Sequence, residues 1–273
     1  MSFPQQKTGV NTASMIDANP VHSDESRVRP DLSVVIPVYN EADAIINLLS
    51  ETGTALKDKI NHEIIIVDDG STDETVNNIL AFMNESGYPL RLIKHKGNFG
   101  QSAAIMSGVE SALSPWIITM DGDGQNDPAD IMRLITEKDN SGLPQLKLVC
   151  GYRKKRNDNF IKRLSSRIAN KVRNMFLHDY TPDTGCGLKL IHRETFLTLP
   201  FFDHMHRFIP ALMRRSGADI MSVEVSHRPR TTGKSKYNVN NRLWVGIVDL
   251  FGLLWLNRRA VKPVKEEITH HEF

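Results

Sequence analysis

Short apolar runs alternate with amphipathic stretches along the first half of the chain. Leu32–Pro37 consists of apolar, strand-forming residues and predicts a buried strand. Similar runs begin at Glu63, Leu90 and Trp116, and each is followed by apolar positions at helical spacing. Four successive strand–helix units predict an α/β fold, with a mostly parallel central sheet and helices on both faces.

Polar residues at the start of each helical stretch indicate how the helices begin. Asn40 is a candidate N-cap for the first helix, and Ser71 with Glu74 has the spacing of a capping box for the second. A glycine-rich turn, Lys96–Gly100, precedes the third helix. Asp127–Pro128 is expected to open the fourth helix as N-cap and first residue.

The second half of the chain is less regular. Three further strands are predicted at Leu146–Cys150, Leu188–Ile191 and Ile220–Ser226. A basic helix is predicted from about Asn159 to Leu177, and a basic loop from Arg228 to Tyr237. We therefore divide the chain into a mobile tail (1–30), one α/β domain (31–238) and a C-terminal amphipathic helix with its tail (239–273).

Composition restricts the class of protein. The chain has 273 residues, of which 40% are hydrophobic and 24% charged, as in a soluble globular protein. A net charge of +2 gives no argument for nucleic-acid binding. Cys150 and Cys186 are the only cysteines, which is too few for a disulfide framework, and no secretory signal is recognised at the N-terminus. We expect a cytoplasmic protein.

Polar residues follow the predicted strands where each strand ends. In open parallel sheets, ligands bind at the carboxyl ends of the strands, near the point where the strand order reverses. Residues without a common function would be scattered between both edges, so this convergence predicts a site. The residues are Asn40, Glu41, Asp68, Asp69, Asn98, Asp121 and Asp123.

The strand that begins at Trp116 ends in an Asp-x-Asp-x-Gln segment. Asp121, Asp123 and Gln125 bring two carboxylates and an amide oxygen to one strand end. Such hard oxygen ligands suit Mg²⁺ or Mn²⁺, which proteins usually share with substrate phosphates. The alternative is an ordinary polar turn, since Asp and Gly are common turn residues.

Three of these segments together resemble the signatures of inverting family-two glycosyltransferases, which have the nucleotide-sugar-binding fold called GT-A. They are Pro37–Glu41, Asp68–Asp73 and Asp121–Gln125. Within that family the chain is most similar to polyprenyl-phosphate sugar transferases of the dolichyl-phosphate mannosyltransferase type. The resemblance extends in order from about Leu32 to Tyr237, and the combination of motifs is specific.

The resemblance implies a role for each matching residue. Arg153 and Arg163 match arginines near the donor and acceptor phosphates, although a charged helix such as the one around Arg163 is more commonly a solvated face. Asp183 belongs to an Asp-x-x-x-Gly segment that matches only partly, because the glycines here are Gly185 and Gly187. The base and ribose would lie against Pro37, Tyr39, Glu41, Asp68 and Asp69; the metal would bind Asp121, Asp123 and Gln125; and Arg230, Ser235 and Lys236 match a mobile loop that closes over the site.

The implied activity is a metal-dependent hexosyl transfer, with inversion, from a nucleotide-diphosphate sugar to a polyprenyl phosphate, for cell-surface glycan or glycolipid assembly. A phosphate acceptor is already anionic, so no general base is obligatory. A sugar hydroxyl acceptor would need one, and Asp183 is then the candidate. Transfer to such a hydroxyl, and a non-catalytic nucleotide-sugar-binding subunit, remain alternatives; the sugar and the base of the donor stay open.

Leu243–Leu256 is almost wholly apolar and is flanked by basic residues. As a helix it would be about 21 Å long, against roughly 30 Å of hydrocarbon in a bilayer, so it is too short to span. Asp249 and Asn257 lie on one side of it, which predicts a helix in the membrane interface on the cytoplasmic face. The alternative is packing on the catalytic domain or on a second subunit of a homo-oligomer.

Overall fold

The computed structural model of the chain describes residues 29–154, 177, 180–229 and 239–259. The predicted N-terminal tail, nearly all of the predicted basic helix and most of the basic loop lie outside these residues.

The order of elements follows the predicted alternation in the first half of the chain. The elements are β1 (Leu32–Val38), α1 (Ile45–Leu56), β2 (His62–Asp68), α2 (Thr75–Ser86), β3 (Leu90–Lys94), α3 (Gln101–Ser111), β4 (Trp116–Thr119), α4 (Asp130–Asn140), β5 (Leu146–Arg153), β6 (Lys189–His192), α5 (Arg193–Leu197), a 3₁₀ turn (Met205–Arg207), α6 (Ile209–Arg215), β7 (Asp219–Val225) and α7 (Val239–Arg258).

The strands among the described residues form one seven-stranded sheet in the order β3-β2-β1-β4-β6-β5-β7. β1, β2, β3 and β4 pair in parallel, as do β5 and β7. The mostly parallel sheet is therefore confirmed. β6 differs, because it runs antiparallel to both β4 and β5. The strand order reverses between β1 and β4, which is where such sheets bind ligands.

Alternate residues of the strands bury their side chains in two separate cores. Val34 and Ile36 of β1 belong to the core beneath α1, α2 and α4. Val35 points the other way, into the core formed with α3, α5, α6 and α7. Both faces of the sheet are thus covered, which explains why its central strands are continuous apolar runs.

The predicted capping residues do not cap helices. Asn40 has a left-handed backbone conformation (φ 52°), and its side-chain oxygen accepts from the Thr72 N–H at 2.7 Å instead. The Ser71 hydroxyl accepts from the Asn40 N–H at 2.9 Å, so the loops after β1 and β2 bind each other. The predicted capping box is therefore wrong, because these groups have closer partners in the neighbouring loop.

The start of α4 is also later than predicted. The helix begins at Asp130, and the Asp127 carboxylate accepts from the Ala129 N–H at 3.0 Å in the preceding turn. Asp127 thus serves the approach to the helix rather than its first turn.

The last helix, α7, contacts the domain through one face. Leu253 is 2% exposed and lies in the second core, with Leu250, Leu254 and Leu256 packed against it. Asp249 and Asn257 also turn towards the protein, and Asn257 has a buried side-chain oxygen. The expected amphipathic arrangement is not confirmed, because the polar side faces the domain. Among the described residues, no helix combines the length and the apolar character needed to cross a bilayer.

Candidate active site

Parallel pairing brings the predicted site residues to one edge of the sheet. Val38 is in register with Asp68, which in turn is in register with Lys94. Val35 is in register with Thr119, so β4 ends beside β1. The polar segments that follow β1, β2, β3 and β4 therefore all begin at the same edge, as the sequence predicted.

Asp69 shapes the glycine-rich turn after β3. Its carboxylate accepts from the N–H groups of Phe99 at 2.9 Å and Gly100 at 2.7 Å. The His95 ring donates from Nδ1 to the same carboxylate at 2.8 Å, and its other ring nitrogen contacts the Ser107 hydroxyl at 2.9 Å. Asp69 is buried. Both of its oxygens thus hold the turn after β3 in place.

The loop after β2 is equally well fixed. The buried Asp68 carboxylate accepts from the Ser71 N–H at 3.2–3.3 Å. Gly70 has φ +76°, and a Cβ placed there would lie 2.6 Å from the carbonyl carbon of Gly97. Only glycine allows this approach of two backbones. The loops after β2 and β3 form one rigid surface.

The other residues assigned to the nucleotide lie at the same edge. Pro37 lines the cavity described below, and Tyr39 and Glu41 are partly exposed beyond the end of β1. Asn98 is exposed on the turn held by Asp69. Their contacts with a nucleotide remain predictions.

Asp121 stands immediately beyond β4, with protein packed closely around its carboxyl. Gln101, the first residue of α3, donates from Nε2 to Asp121 Oδ1 at 2.8 Å. Burial raises the pKa of Asp121 and repulsion by Asp123 raises it further, whereas Lys189 and Arg153 oppose the shift. An ionised Asp121 beside Asp123 is therefore electrostatically unfavourable without an additional cation.

The carboxylates of Asp121 and Asp123 are suitable ligands for a divalent cation that takes its remaining ligands from a substrate. Asp123 Oδ1 accepts from the Gln125 N–H at 3.1 Å, so the two residues share one tight turn. Among the described residues, no group of three His, Cys, Asp or Glu side chains is arranged to hold a metal. Two carboxylates alone suit Mg²⁺ or Mn²⁺, which take their other ligands from water and diphosphate oxygens.

A cavity of about 170 Å³ lies against Asp121. It includes three cationic or polar side chains that the sequence analysis missed, namely Lys189, His206 and Arg207. Lys189 is 5% exposed and donates to the Cys186 carbonyl. Gly187 borders the same space: a Cβ there would lie 2.3 Å from the Asp121 carboxyl. The cavity thus has an acidic side and a basic side.

Antiparallel pairing explains why these groups were missed. In β6, Lys189 is in register with Thr119 of β4, so β6 starts at the edge where β4 ends. The argument from the sheet considered polar residues that follow strands, whereas Lys189 lies at the beginning of one. The sequence around His206 and Arg207 shows no motif that would mark them as residues of a site.

Arg153 and Asp183 form a close ion pair. Arg153 donates from Nε to Asp183 Oδ2 at 2.7 Å and from Nη2 to Oδ1 at 3.1 Å. Burial acts to lower the pKa of Arg153, but the hydrogen bonds and charge of Asp183 outweigh it and raise the pKa. Both oxygens of Asp183 are occupied, which makes it a poor candidate for a general base.

The root of the predicted mobile loop lies beside the metal candidates. The Arg228 N–H donates to the Gln125 carbonyl at 3.1 Å, and its guanidinium pairs with Asp127 at 2.9 Å and with Glu51. Arg163, Arg230, Ser235 and Lys236 lie outside the described residues, so their roles stay predictions.

Comparison with known proteins identifies a family and curated relatives to which this chain is similar. The family model for Glycosyl transferase family 2 matches residues 33–199. The chain is 34% identical over 241 residues to dodecaprenyl-phosphate galacturonate synthase of Rhizobium johnstonii, covering 85% of this chain and 69% of the relative. It is 33% identical over 210 residues to undecaprenyl-phosphate 4-deoxy-4-formamido-L-arabinose transferase of Aeromonas hydrophila, covering 76% and 63%. The chain therefore spans about two thirds of the length of these curated relatives.

Solved structures share the fold at low sequence identity. Glucosyl-3-phosphoglycerate synthase from Mycobacterium tuberculosis, in complex with Mn²⁺, UDP-glucose and phosphoglyceric acid, aligns with a TM-score of 0.63 and 16% identity. That alignment covers 84% of this chain and 79% of the other. The same enzyme with Mg²⁺ and UDP gives a TM-score of 0.62.

Proposed function

Because this chain belongs to Glycosyl transferase family 2, we propose that it transfers a sugar from a nucleotide-diphosphate donor to a polyprenyl-phosphate acceptor, with inversion at the anomeric carbon. The relatives named above carry out sugar transfer with polyprenyl phosphates, as their names state. The identity of the sugar and of the base is left open.

The observation that carries this proposal is the two-sided cavity at the end of β4. Asp121 borders it on the acidic side, with Asp123 in the adjoining turn, and Lys189 and Arg207 line the basic side. A nucleotide on the rigid loops after β1, β2 and β3 would place its diphosphate next to this cavity. Cationic side chains stabilise the negative charge that develops on the leaving diphosphate.

Transfer then requires one displacement. An oxygen of the acceptor phosphate forms a bond to the anomeric carbon, and the bond from that carbon to the donor diphosphate breaks. The nucleoside diphosphate leaves with the electron pair, and Arg207 and Lys189, which line the cavity, would stabilise the negative charge of both anions. No proton has to be removed from a phosphate that is already ionised.

The state of Asp183 favours a phosphate acceptor over a hydroxyl acceptor. A hydroxyl nucleophile requires a base, and Asp183 was the candidate. In the structure its carboxylate is bound by Arg153 through two hydrogen bonds. His206 is no substitute, because Ser102 Oγ lies 2.8 Å from its Nδ1 and accepts from its backbone N–H at 3.3 Å.

We further propose that a bound Mg²⁺ or Mn²⁺ takes part, held by Asp121, Asp123 and the Gln125 side chain. The metal would neutralise the diphosphate and assist its departure. The structural neighbours contain Mn²⁺ with UDP-glucose and Mg²⁺ with UDP, which supports the participation of a metal.

The outer face of α7 supports attachment to a membrane surface. Val248, Phe251 and Trp255 are 65%, 67% and 63% exposed, and helical spacing places them on one side. Arg258 and Arg259 are exposed at the end of this outer face, and Arg259 lies 6.0 Å from the Trp255 ring. Exposed apolar and aromatic side chains bordered by arginines suit an anionic bilayer. We propose peripheral binding at the cytoplasmic leaflet, where the lipid acceptor is presented.

The decisive test compares two acceptors that differ only in the phosphate. The purified chain is incubated with a panel of UDP- and GDP-sugars and either a short polyprenyl phosphate or the corresponding polyprenol, and products are identified by mass spectrometry. With one of the donors we expect a lipid that carries the sugar through its phosphate. We expect no product from the polyprenol. Transfer to the alcohol alone would support the hydroxyl alternative. Nucleotide binding without any transfer would support a non-catalytic subunit.

A further inference from the structure

An acidic residue interrupts the apolar stretch of α7 and faces the domain. The Asp249 side chain is 17% exposed, and among the described residues its Oδ2 has no hydrogen-bond partner. His204 Nδ1 lies 3.8 Å from Asp249 Oδ2. Burying a carboxylate costs free energy unless charged partners compensate for its lost hydration. If the helix only had to pack on the domain, an apolar residue would be more favourable at this position.

The partners of Asp249 belong to the turn that contains His204 and Arg207. His204 has a left-handed backbone (φ 63°), and its ring lies between Asp203 at 3.4 Å and Asp249 at 3.8 Å. Burial raises the pKa of Asp249 and Asp203 adds to this, while attraction by His204 and Arg207 acts in the opposite direction. Asp249 therefore lies beside His204 and is attracted by Arg207 of the same turn.

Residues of this turn also form part of the candidate site. His206 contacts the Ser102 hydroxyl at 2.8 Å, and the neighbouring Gln101 binds Asp121 at 2.8 Å. Arg207 lines the cavity next to Asp121. A short series of contacts thus connects α7, the turn 204–207, the start of α3 and the metal candidate.

We propose that Asp249 is a positioning residue, which attracts His204 and Arg207 towards α7 and thereby holds the turn 204–207 with Arg207 at the cavity wall. The inference rests on the proposed function in taking this cavity as the place of transfer. It gives α7 a second role, since the helix proposed to touch the membrane also fixes part of the site.

The first experiment measures turnover and the amide exchange of the turn. In Asp249→Asn we expect at least a tenfold lower kcat, an unchanged KM for the nucleotide donor, and faster hydrogen exchange at residues 204–208. Asp249→Glu should recover part of kcat because it restores the charge. Asp139→Asn is the matched control, since Asp139 is an exposed carboxylate on α4, and it should resemble the unmodified chain.

A double-mutant cycle separates positioning from a general loss of stability. If Asp249 acts through Arg207, adding Asp249→Asn to Arg207→Lys lowers kcat little further. Independent, additive losses in the cycle would overturn the proposal, and so would unchanged exchange at 204–208 in Asp249→Asn.

The proposal can still be tested if Asp249→Asn does not fold or if the unmodified chain shows no transfer. Should Asp249→Asn fail to fold, His204→Asn removes the same contact while keeping a residue that tolerates left-handed backbone, and the same exchange result is expected. Should the unmodified chain transfer no sugar, the proposed function fails. The exchange data then still decide whether Asp249 holds the turn.

Discussion

Asp69 has a structural role in addition to the nucleotide contact that the sequence predicts for it. Sequence reasoning assigned its carboxylate to the base and ribose. In the structure, both oxygens are bound to the turn after β3 and to His95. The location was predicted and the nucleotide contact stays a prediction, but these structural contacts were not foreseen, because a single sequence does not show which backbone N–H groups a carboxylate will meet.

Asp69→Asn tests this role. An amide has one acceptor oxygen and cannot serve both N–H groups, so we expect a loss of about 1–3 kcal/mol in the free energy of unfolding. Affinity for the nucleoside diphosphate should fall as well, measured by calorimetry. Asp58→Asn is the control, because Asp58 is exposed in a left-handed conformation that Asn accepts. Weaker nucleotide binding with unchanged stability would indicate a direct ligand instead.

Asp123 is predicted to act on the metal and not on folding. It is partly exposed, and its Oδ1 accepts a hydrogen bond from the Gln125 N–H within the turn. Asp123→Asn should abolish transfer while leaving the melting temperature nearly unchanged, and chelator should stop the unmodified chain equally. Full activity in excess chelator contradicts the metal assignment.

At the scale of elements, the predicted strands agree with the structure better than the predicted caps. Strands were found from continuous apolar runs, and burial on both faces of the sheet produces such runs directly. Capping depends on competition among nearby polar groups. Asn40 and Ser71 form hydrogen bonds between the loops after β1 and β2 instead of at the helix ends. The sequence does not show this, because the two loops meet only in the folded sheet.

The outer face of α7 gives a prediction for the helix as an element. The unmodified chain should float with anionic liposomes at low salt and less at high salt, because its arginines are screened. Combined Phe251→Ser and Trp255→Ser should greatly reduce flotation. Leu80→Ser is the control, since Leu80 is exposed on α2. Removing the whole helix would be uninformative, because Leu253 is part of the core.

Two results would contradict membrane binding. The double variant floating like the unmodified chain would show that this face is not in contact with lipid. Absence of flotation at low salt, together with a dimer in solution that the double variant loses, would instead support a homo-oligomer through α7.

At the scale of the whole molecule, the sequence predicted the edge of the sheet at which the polar residues gather. Polar residues after parallel strands were expected at a single edge, and register places them there. Lys189 and Arg207 were missed, because they belong to an antiparallel strand and to a turn near α3. Those arrangements depend on long-range pairing, and no local pattern encodes them.

Asp121 makes the stability of the whole molecule depend on pH. Because its pKa is raised in the folded state, the metal-free protein loses stability as pH increases from the ordinary Asp value of about 3.9 through the raised pKa. Asp121→Asn removes this loss. We expect a higher melting temperature than the unmodified chain at pH 7 in chelator, and a smaller difference at pH 4. A lower melting temperature at pH 7 would show that the charge of Asp121 is well compensated.

The position of β6 also has a consequence for how the chain folds. The strands β1 to β4 pair among themselves within residues 32–119, so this part can assemble during synthesis before the rest has emerged. β5 cannot join it directly, because β6, which is made later, lies between β4 and β5. The interval leaves the edge of β4 open to incorrect pairing with other chains. In pulsed hydrogen exchange during refolding, amides of β1 and β2 should become protected before those of β5 and β7.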